Sequence, residues 1–144
     1  MIRRATRDDA EAIARLHLAA WQFAYADILA PEELASVTLE DRLAAWTRVL
    51  DEEGMVWVAE IDGSLAGLAF VDGPELTALY VDPVAQGAGV GTALLAEAQA
   101  AGARELRVLE GNGLAREFYA ARGWRDDGEG AIYRGRPTRR YVRA

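Results

Sequence analysis

The run Gln86-Gly87-Ala88-Gly89-Val90-Gly91 constrains this chain more than any other segment. It lies between an apolar stretch ending at Val81 and an Ala/Leu-rich stretch opening at Thr92. Glycine admits positive φ and lets a ligand come close to the backbone. The first turn of a helix offers unpaired N–H groups and the positive end of the helix dipole. A strand, a glycine loop and a helix in that order predict a backbone site for an anion such as a diphosphate. Two nucleotide-binding patterns compete for such a loop. The P-loop needs Gly-Lys-Ser/Thr, and all 16 basic residues here are arginine. The same absence excludes a Schiff-base lysine. The dinucleotide fingerprint needs G-x-G-x-x-G, but the third glycine position counted from Gly87 is Thr92. Glu110, about twenty residues on, imitates the ribose-binding acid of that fingerprint. However, several antiparallel-looking strands precede the loop, where a dinucleotide fold has its first strand.

The elements around the loop read as follows. Ile2 to Ala5 is a short strand. Asp8-Asp9 opens a helix carrying Ile13, Leu16 and Ala20 on one face. The aromatic residues Trp21, Phe23 and Tyr25 cluster after it. Pro31 starts another helical stretch, and Leu43, Trp46 and Leu50 mark an amphipathic helix that ends at Gly54. Met55–Ile61 and Leu65–Val71 are strands joined by an Asp62-Gly63 turn. Leu76–Val81 is a third strand, stopped by Asp82-Pro83. A helix over Thr92–Ala101 ends at Gly102. The strand Leu106–Leu109 follows, then a helix from Asn112 to Arg122 with Gly123 as its cap. Ala131–Arg134 and Thr138–Arg143 form a closing hairpin. This order predicts a mixed α/β (α+β) fold. At 144 residues one compact domain spanning 1–144 is expected, with no repeat or linker to divide it.

Composition narrows the partners. The formal charge of −7 argues against nucleic acid, whose groove should be basic. An acidic surface suits a cationic acceptor such as an amine, although solubility alone accounts for it. No apolar run approaches the ~20 residues of a membrane span, and the N-terminus lacks a signal-peptide apolar region. With no cysteine there are no disulfides, no thiolate metal site and no Cys nucleophile. A cytoplasmic protein with no membrane partner and no metal is expected. His17, the only histidine, reads as a partly exposed packing residue of the first helix.

The stretch Leu79-Tyr80-Val81-Asp82-Pro83 followed by Gln86-Gly87-Ala88-Gly89-Val90-Gly91 resembles the acetyl-CoA motif of the GNAT superfamily of N-acetyltransferases, Gln/Arg-x-x-Gly-x-Gly/Ala. Gln86, Gly89 and Gly91 fill its fixed positions. Asn112-Gly113-Leu114-Ala115-Arg116-Glu117-Phe118-Tyr119, ending in Gly123-Trp124, resembles a second family segment, Asn-x-x-Ala-x-x-Phe-Tyr-x-x-x-Gly-Phe. The resemblance implies a mostly antiparallel sheet of about seven strands flanked by about four helices. That sheet would splay between the strands at 76–81 and 106–109. Acetyl-CoA would lie in the gap, its pantetheine pairing with backbone near Leu79, Tyr80 and Val81. Its pyrophosphate would meet Gln86, Gly87, Ala88, Gly89, Val90, Gly91 and Thr92. Asn112, locally a good helix N-cap, would add a polar contact to the pantetheine arm.

The resemblance also implies direct transfer of acetyl to an amine in a ternary complex, without an acyl-enzyme. Tyr119 matches the family tyrosine whose hydroxyl points at the thioester sulfur. Glu75, six positions before Val81, stands where some relatives place a glutamate base acting through water. The ribosomal-protein branch instead uses a glutamate one residue after the position of Leu106, where this chain has Arg107. The acceptor pocket belongs to the N-terminal helices, which makes Trp21 and Tyr25 substrate-binding candidates; aromatic faces hold cations. The acceptor is a small-molecule or peptide amine, and relatives often form homodimers. Two other functions are carried forward. One is a CoA-binding sensor or interaction module without turnover, suggested by the unclear base. The other is a dinucleotide-dependent oxidoreductase.

Overall fold

Val56, Val58 and Leu68 bury their side chains on one side of a sheet, while Trp57 and Ala69, one residue along the same strands, bury theirs on the other. Strands with two apolar faces must be covered twice, and the chain supplies a helix layer for each face. The computed structural model describes residues 1–144. In order, the elements are β1 (Ile2–Arg4), α1 (Ala10–Tyr25), α2 (Pro31–Ser36), α3 (Leu39–Asp51), β2 (Met55–Ile61), β3 (Ser64–Asp72), β4 (Glu75–Val81), α4 (Val90–Ala100), β5 (Glu105–Leu109), α5 (Gly113–Ala120), β6 (Arg125–Tyr133) and β7 (Arg136–Val142). The seven strands follow the order β1-β2-β3-β4-β5-β7-β6. Every neighbouring pair is antiparallel except β4 and β5.

The mixed, mostly antiparallel sheet is the one expected, and α1 and α3 cover one face while α4 and α5 cover the other. There are five α-helices rather than about four, because Pro31 sets the first turn of a short separate helix. Two boundaries differ in ways that matter. The first helix does not stop at Ala20 but continues to Tyr25, so Trp21, Phe23 and Tyr25 lie on it rather than after it. Its period of 3.6 puts Trp21 and Tyr25 on the His17 face and turns Phe23 out, 59% exposed. The closing hairpin also begins earlier, at Arg125. Its register slips between Asp126 and Gly130, an irregularity that no simple alternation signals. No helix is long and apolar enough to cross a membrane.

Helix α4 lies against the sheet because β3 has no side chain at Gly67. A Cβ there would come within 2.8 Å of Leu94 Cδ1, 2.9 Å of Val90 Cγ1 and 3.1 Å of the Tyr80 carbonyl oxygen. Leu94 and Leu95 are buried in this layer, with Trp57 and Leu106 from the sheet. On the other face, Ile13, Leu16 and Trp46 pack on Val56, Val58 and Leu68. That layer has one buried polar joint. Trp46 Nε1–H donates to His17 Nδ1 at 2.9 Å, so the imidazole carries its proton on Nε2 and is neutral. His17 is buried, not partly exposed. Burial, aided by the nearby Arg42 cation, pushes its pKa down to about 3.

Two stability predictions follow from these layers. Gly67→Val should lower unfolding free energy by about 1–3 kcal/mol through overpacking against α4; urea denaturation measures it. For His17, the folded-state pKa lies below the ordinary value of 6.5, so the unfolded chain binds a proton that the folded chain refuses. Stability therefore falls as pH drops from 6.5 toward 3. His17→Gln keeps an acceptor for Trp46 and removes that liability. The melting-temperature advantage of the parent chain over His17→Gln should shrink between neutral pH and pH about 4. A constant difference across that range would dismiss His17 as the acid-labile joint.

Candidate functional site

The parallel neighbours β4 and β5 share a single paired position, Glu75 with Glu105. Just before it, the Arg104 and Glu105 N–H groups donate to the Pro74 carbonyl at 2.8 and 3.1 Å. Beyond it the two strands part. The cause sits in β4. Leu76 pairs with Val71 and Ala78 with Phe70 on β3, which leaves Thr77 as an extra residue. A bulge of this kind bends its strand and breaks the ladder. The result is a V-shaped gap through the middle of the sheet.

The β4 side of the gap presents unpaired backbone. Asp82 N–H donates to the Ala66 carbonyl on β3 at 2.8 Å. Alternation along the strand then turns the N–H and C=O groups of Val81 and Leu79 the other way, toward β5. The side chains of Leu79 and Val81 pack into the α4/α5 layer, while Tyr80 packs into the α1/α3 layer.

At the open end of the gap the chain makes the glycine loop. Asp82 Oδ1 accepts from the Val84 N–H at 3.0 Å and sets a 3-10 turn over Pro83–Ala85. Gly87 has φ +88° and Gly89 φ +82°, and a Cβ on either would meet nothing within 4 Å. A left-handed non-glycine residue costs roughly 1–2 kcal/mol, so glycine is what lets the chain turn there. Gly89 is the N-cap of α4. The amides of residues 87 through 92 donate to no group of the protein. These six N–H groups, converging at a helix N-terminus around two open glycines, fit an extended anion such as a diphosphate. Gly91 has another role. Its Cβ position lies 3.4 Å from the Phe118 ring, so it holds α5 close to α4.

Helix α5 forms the far side. Asn112 caps it, its Oδ1 accepting from the Ala115 N–H at 3.2 Å. Tyr119 is buried against Phe118 and Trp124, with ring centroids 5.2 and 6.0 Å away. Burial pushes its phenol well above the ordinary tyrosine value, and Tyr25 adds to the shift. Tyr25 belongs to α1, on the opposite face of the sheet. Tyr25 is itself raised by burial and drawn partly back by the Tyr80 hydroxyl and the Asn112 amide.

A cavity of about 440 Å³ opens on the α1/α3 side. His17, Trp21 and Tyr25, one stripe of α1, form a wall. Tyr80 and the bulge residue Thr77 come from β4, and Tyr133 and Thr138 from the final hairpin. Arg42 and Arg107 are the charged lining residues, and no Asp or Glu lines it.

The residues expected from sequence therefore fall into two groups and one outlier. Leu79 and Val81 lie on the unpaired edge of β4, the 86–92 loop follows at its open end, and Asn112 caps α5, whose Tyr119 is buried in the α4/α5 core. Trp21, Tyr25 and the Tyr80 side chain line the cavity beside it. Glu75 does not reach the cavity wall; it starts β4 at the closed end, in register with Asp72 and Glu105. Sequence reading overlooked Arg42, Thr138 and Arg122. Arg42 had a signal, since it stands four residues before the buried Trp46 and so shares its face. Arg122 lies over the Phe118 ring at 3.9 Å and donates from Nε to Thr92 Oγ1 at 3.0 Å, beside the free amides. Thr138 had none, because only the hairpin's return to β5 brings it to the cavity.

Comparison with known proteins agrees with this geometry. The GCN5-related N-acetyltransferase of Rhodopseudomonas palustris superposes with TM-score 0.80 at 27% identity, covering 100% of this chain and 94% of that one. The PaiA N-acetyltransferase of Thermoplasma acidophilum, solved in complex with coenzyme A, gives 0.75 at 22%, covering 100% and 98%. A ribosomal-protein-alanine N-acetyltransferase of Brucella melitensis gives 0.69 at 26%, covering 98% and 97%. No curated protein matches the chain. Residues 52–126 match the acetyltransferase (GNAT) domain, and with more than half its length inside that match, the chain belongs to the GNAT family and is an acyltransferase.

Proposed function

We propose that the chain transfers the acetyl group of acetyl-CoA directly to an amine held in the cavity, both substrates being bound together. The observation that carries this reading is the row of six free amides, residues 87 through 92, at the open end of a gap whose β4 edge is unpaired. The amides suit the pyrophosphate, and the free N–H and C=O groups of Leu79 and Val81 suit the amides of the pantetheine arm as an added strand would. Arg122, beside Thr92, supplies a cation for a phosphate. Asn112, whose Oδ1 is committed to the cap and whose amide N–H₂ lies toward the Tyr25 hydroxyl, is proposed to offer a remaining N–H to the arm. The Thermoplasma relative, of the same fold, was solved in complex with coenzyme A, which supports coenzyme A as the ligand class.

When bound, acetyl-CoA supplies an activated acyl carbon. The amine nitrogen forms a bond to that carbon as the carbon–sulfur bond breaks; the nitrogen gives up a proton and the sulfur ends as a thiol. Tyr119 is the proposed partner of the sulfur. Its raised pKa sharpens the role. The phenol stays protonated at any working pH, so a donor is always present. A CoA thiol has an ordinary pKa of about 8.5, so complete transfer from so weak an acid would be uphill. Tyr119 therefore acts by hydrogen-bonding to the developing thiolate, and the proton is settled from solvent. Glu75 is proposed as a remote acceptor of the amine proton through water, since no carboxylate stands in the cavity wall. That same lack favours the second reading, a CoA-binding module without turnover.

Release of free CoA thiol across an amine panel separates the two readings. Tyr119→Phe should lower kcat about 10²-fold, the usual cost of one transition-state hydrogen-bond donor, with acetyl-CoA affinity nearly unchanged. Undiminished turnover would remove Tyr119 from the mechanism. Gly89→Val, measured by calorimetry, should weaken CoA binding roughly a hundredfold by twisting the amides out of line. Parent-like affinity in a folded variant would show that the loop is not the phosphate site.

A further inference from the structure

Two buried side-chain polar atoms in the chain lack a hydrogen-bond partner, Arg42 Nε and Thr138 Oγ1. Both residues line the same cavity. A buried donor without an acceptor forfeits its hydration with nothing in return, and more so when it is charged. Such groups are normally satisfied, so two orphans on residues that line one cavity point to a ligand that completes them.

The charge of the cavity says what kind. The chain's ion pairs are made by Arg3, Arg7, Arg15, Arg116, Arg136, Arg139 and Arg140. Neither Arg42 nor Arg107 is among them, although the chain contains 23 acidic residues. Arg42 is held by its stem and by the Trp21 ring, its guanidinium carbon 5.3 Å from the ring centroid. Arg134, on the turn between β6 and β7, stands 5.5 Å from the same ring. Two guanidinium groups thus stand against the Trp21 ring, and the two that line the cavity, Arg42 and Arg107, share it with no carboxylate. A guanidinium and a hydroxyl lining one cavity offer directional donors of the kind that recognise a carboxylate. The rest of the wall is apolar and aromatic, with Trp46 and Phe70 facing Tyr133.

We propose that the acceptor is a small amine that also carries a carboxylate, such as a free amino acid with an apolar side chain, its carboxylate held by Arg42 and Thr138 with Arg107 nearby. This rests on the acetyl-transfer reading only for the amine; the carboxylate site stands on the cavity itself. The expectation of a cationic acceptor drawn from the net charge does not apply inside the pocket. The same cations disfavour a positive charge beside them, so they shift the bound ammonium toward the free amine that must attack.

The test uses the full chain and its own tryptophans, since Trp21 and Trp46 line the cavity. Fluorescence titrations compare matched pairs, phenylalanine with phenethylamine and leucine with isoamylamine, each with and without saturating CoA. The carboxylate member of at least one pair should bind about tenfold to a hundredfold more tightly, the worth of one charge-assisted hydrogen-bonded pair. Arg42→Gln should abolish that preference. Thr138→Val, which keeps the shape, should reduce it severalfold, and Arg42→Lys should retain part of it. Equal binding within every pair, or a preference that survives Arg42→Gln, would overturn the proposal. Thiol release in the same samples decides the transfer reading separately. Turnover of the carboxylate-free amines with none of the amino acids would sink this proposal and leave acetyl transfer standing.

Discussion

The parting of β4 from β5 is the constraint on which the rest of the molecule depends. Interior strands of a sheet normally pair on both edges, because unpaired N–H and C=O groups are costly when buried. Here two interior strands meet at one position and then diverge. The sheet survives because each half is closed by its own helix contacts. Gly67 lets α4 press on β3, while β5 pairs along its whole length with β7. Gly91 and Phe118 then tie α4 to α5 across the open end. The exposed β4 edge is thus a rigid template rather than a loose end, which is what a strand-like ligand needs.

Much of this was legible from local chemistry. The Asp62-Gly63 turn, the glycine loop and the Asn112 cap each depend on residues adjacent in sequence, and each formed where its residues stand. The gap itself was visible only through family resemblance. Its physical cause, the extra residue Thr77, follows from a pairing offset between Phe70 and Val71. Thr77 is an ordinary strand residue, and nothing beside it announces a bulge. The cavity was less legible still, since its walls come from α1, α3, β4, β5 and the last hairpin. Trp21 and Tyr25 lie four and eight residues after His17, a single helical stripe that shows only because the first helix continues past Ala20 to Tyr25.

Tyr119 and Tyr25 illustrate how the gap joins two otherwise separate layers. Tyr119 belongs to the α4/α5 core and Tyr25 to the wall of the cavity. Each is raised by burial, and Tyr25 adds to the shift of Tyr119. Both therefore remain neutral donors, and the groups that act on Tyr25, the Tyr80 hydroxyl and the Asn112 amide among them, are uncharged. The cavity wall itself carries no fixed anion.

That absence bears on the missing base. A conventional account asks for a carboxylate beside the amine, and Glu75 stands instead at the closed end of the gap. Net charge of −7 would favour an ammonium at long range, but exposed charges are screened beyond about 8 Å at physiological salt. What an amine meets inside is Arg42 and Arg107. A cation within about 4–6 Å lowers the pKa of an ammonium. A carboxylate on the same acceptor, paired to Arg42, would no longer hold its neighbouring ammonium charged. The pocket then needs a base less than an acidic pocket would. Electrostatics that select the acceptor would also prepare it, and a proton shed this readily could pass to solvent without a carboxylate in the cavity wall.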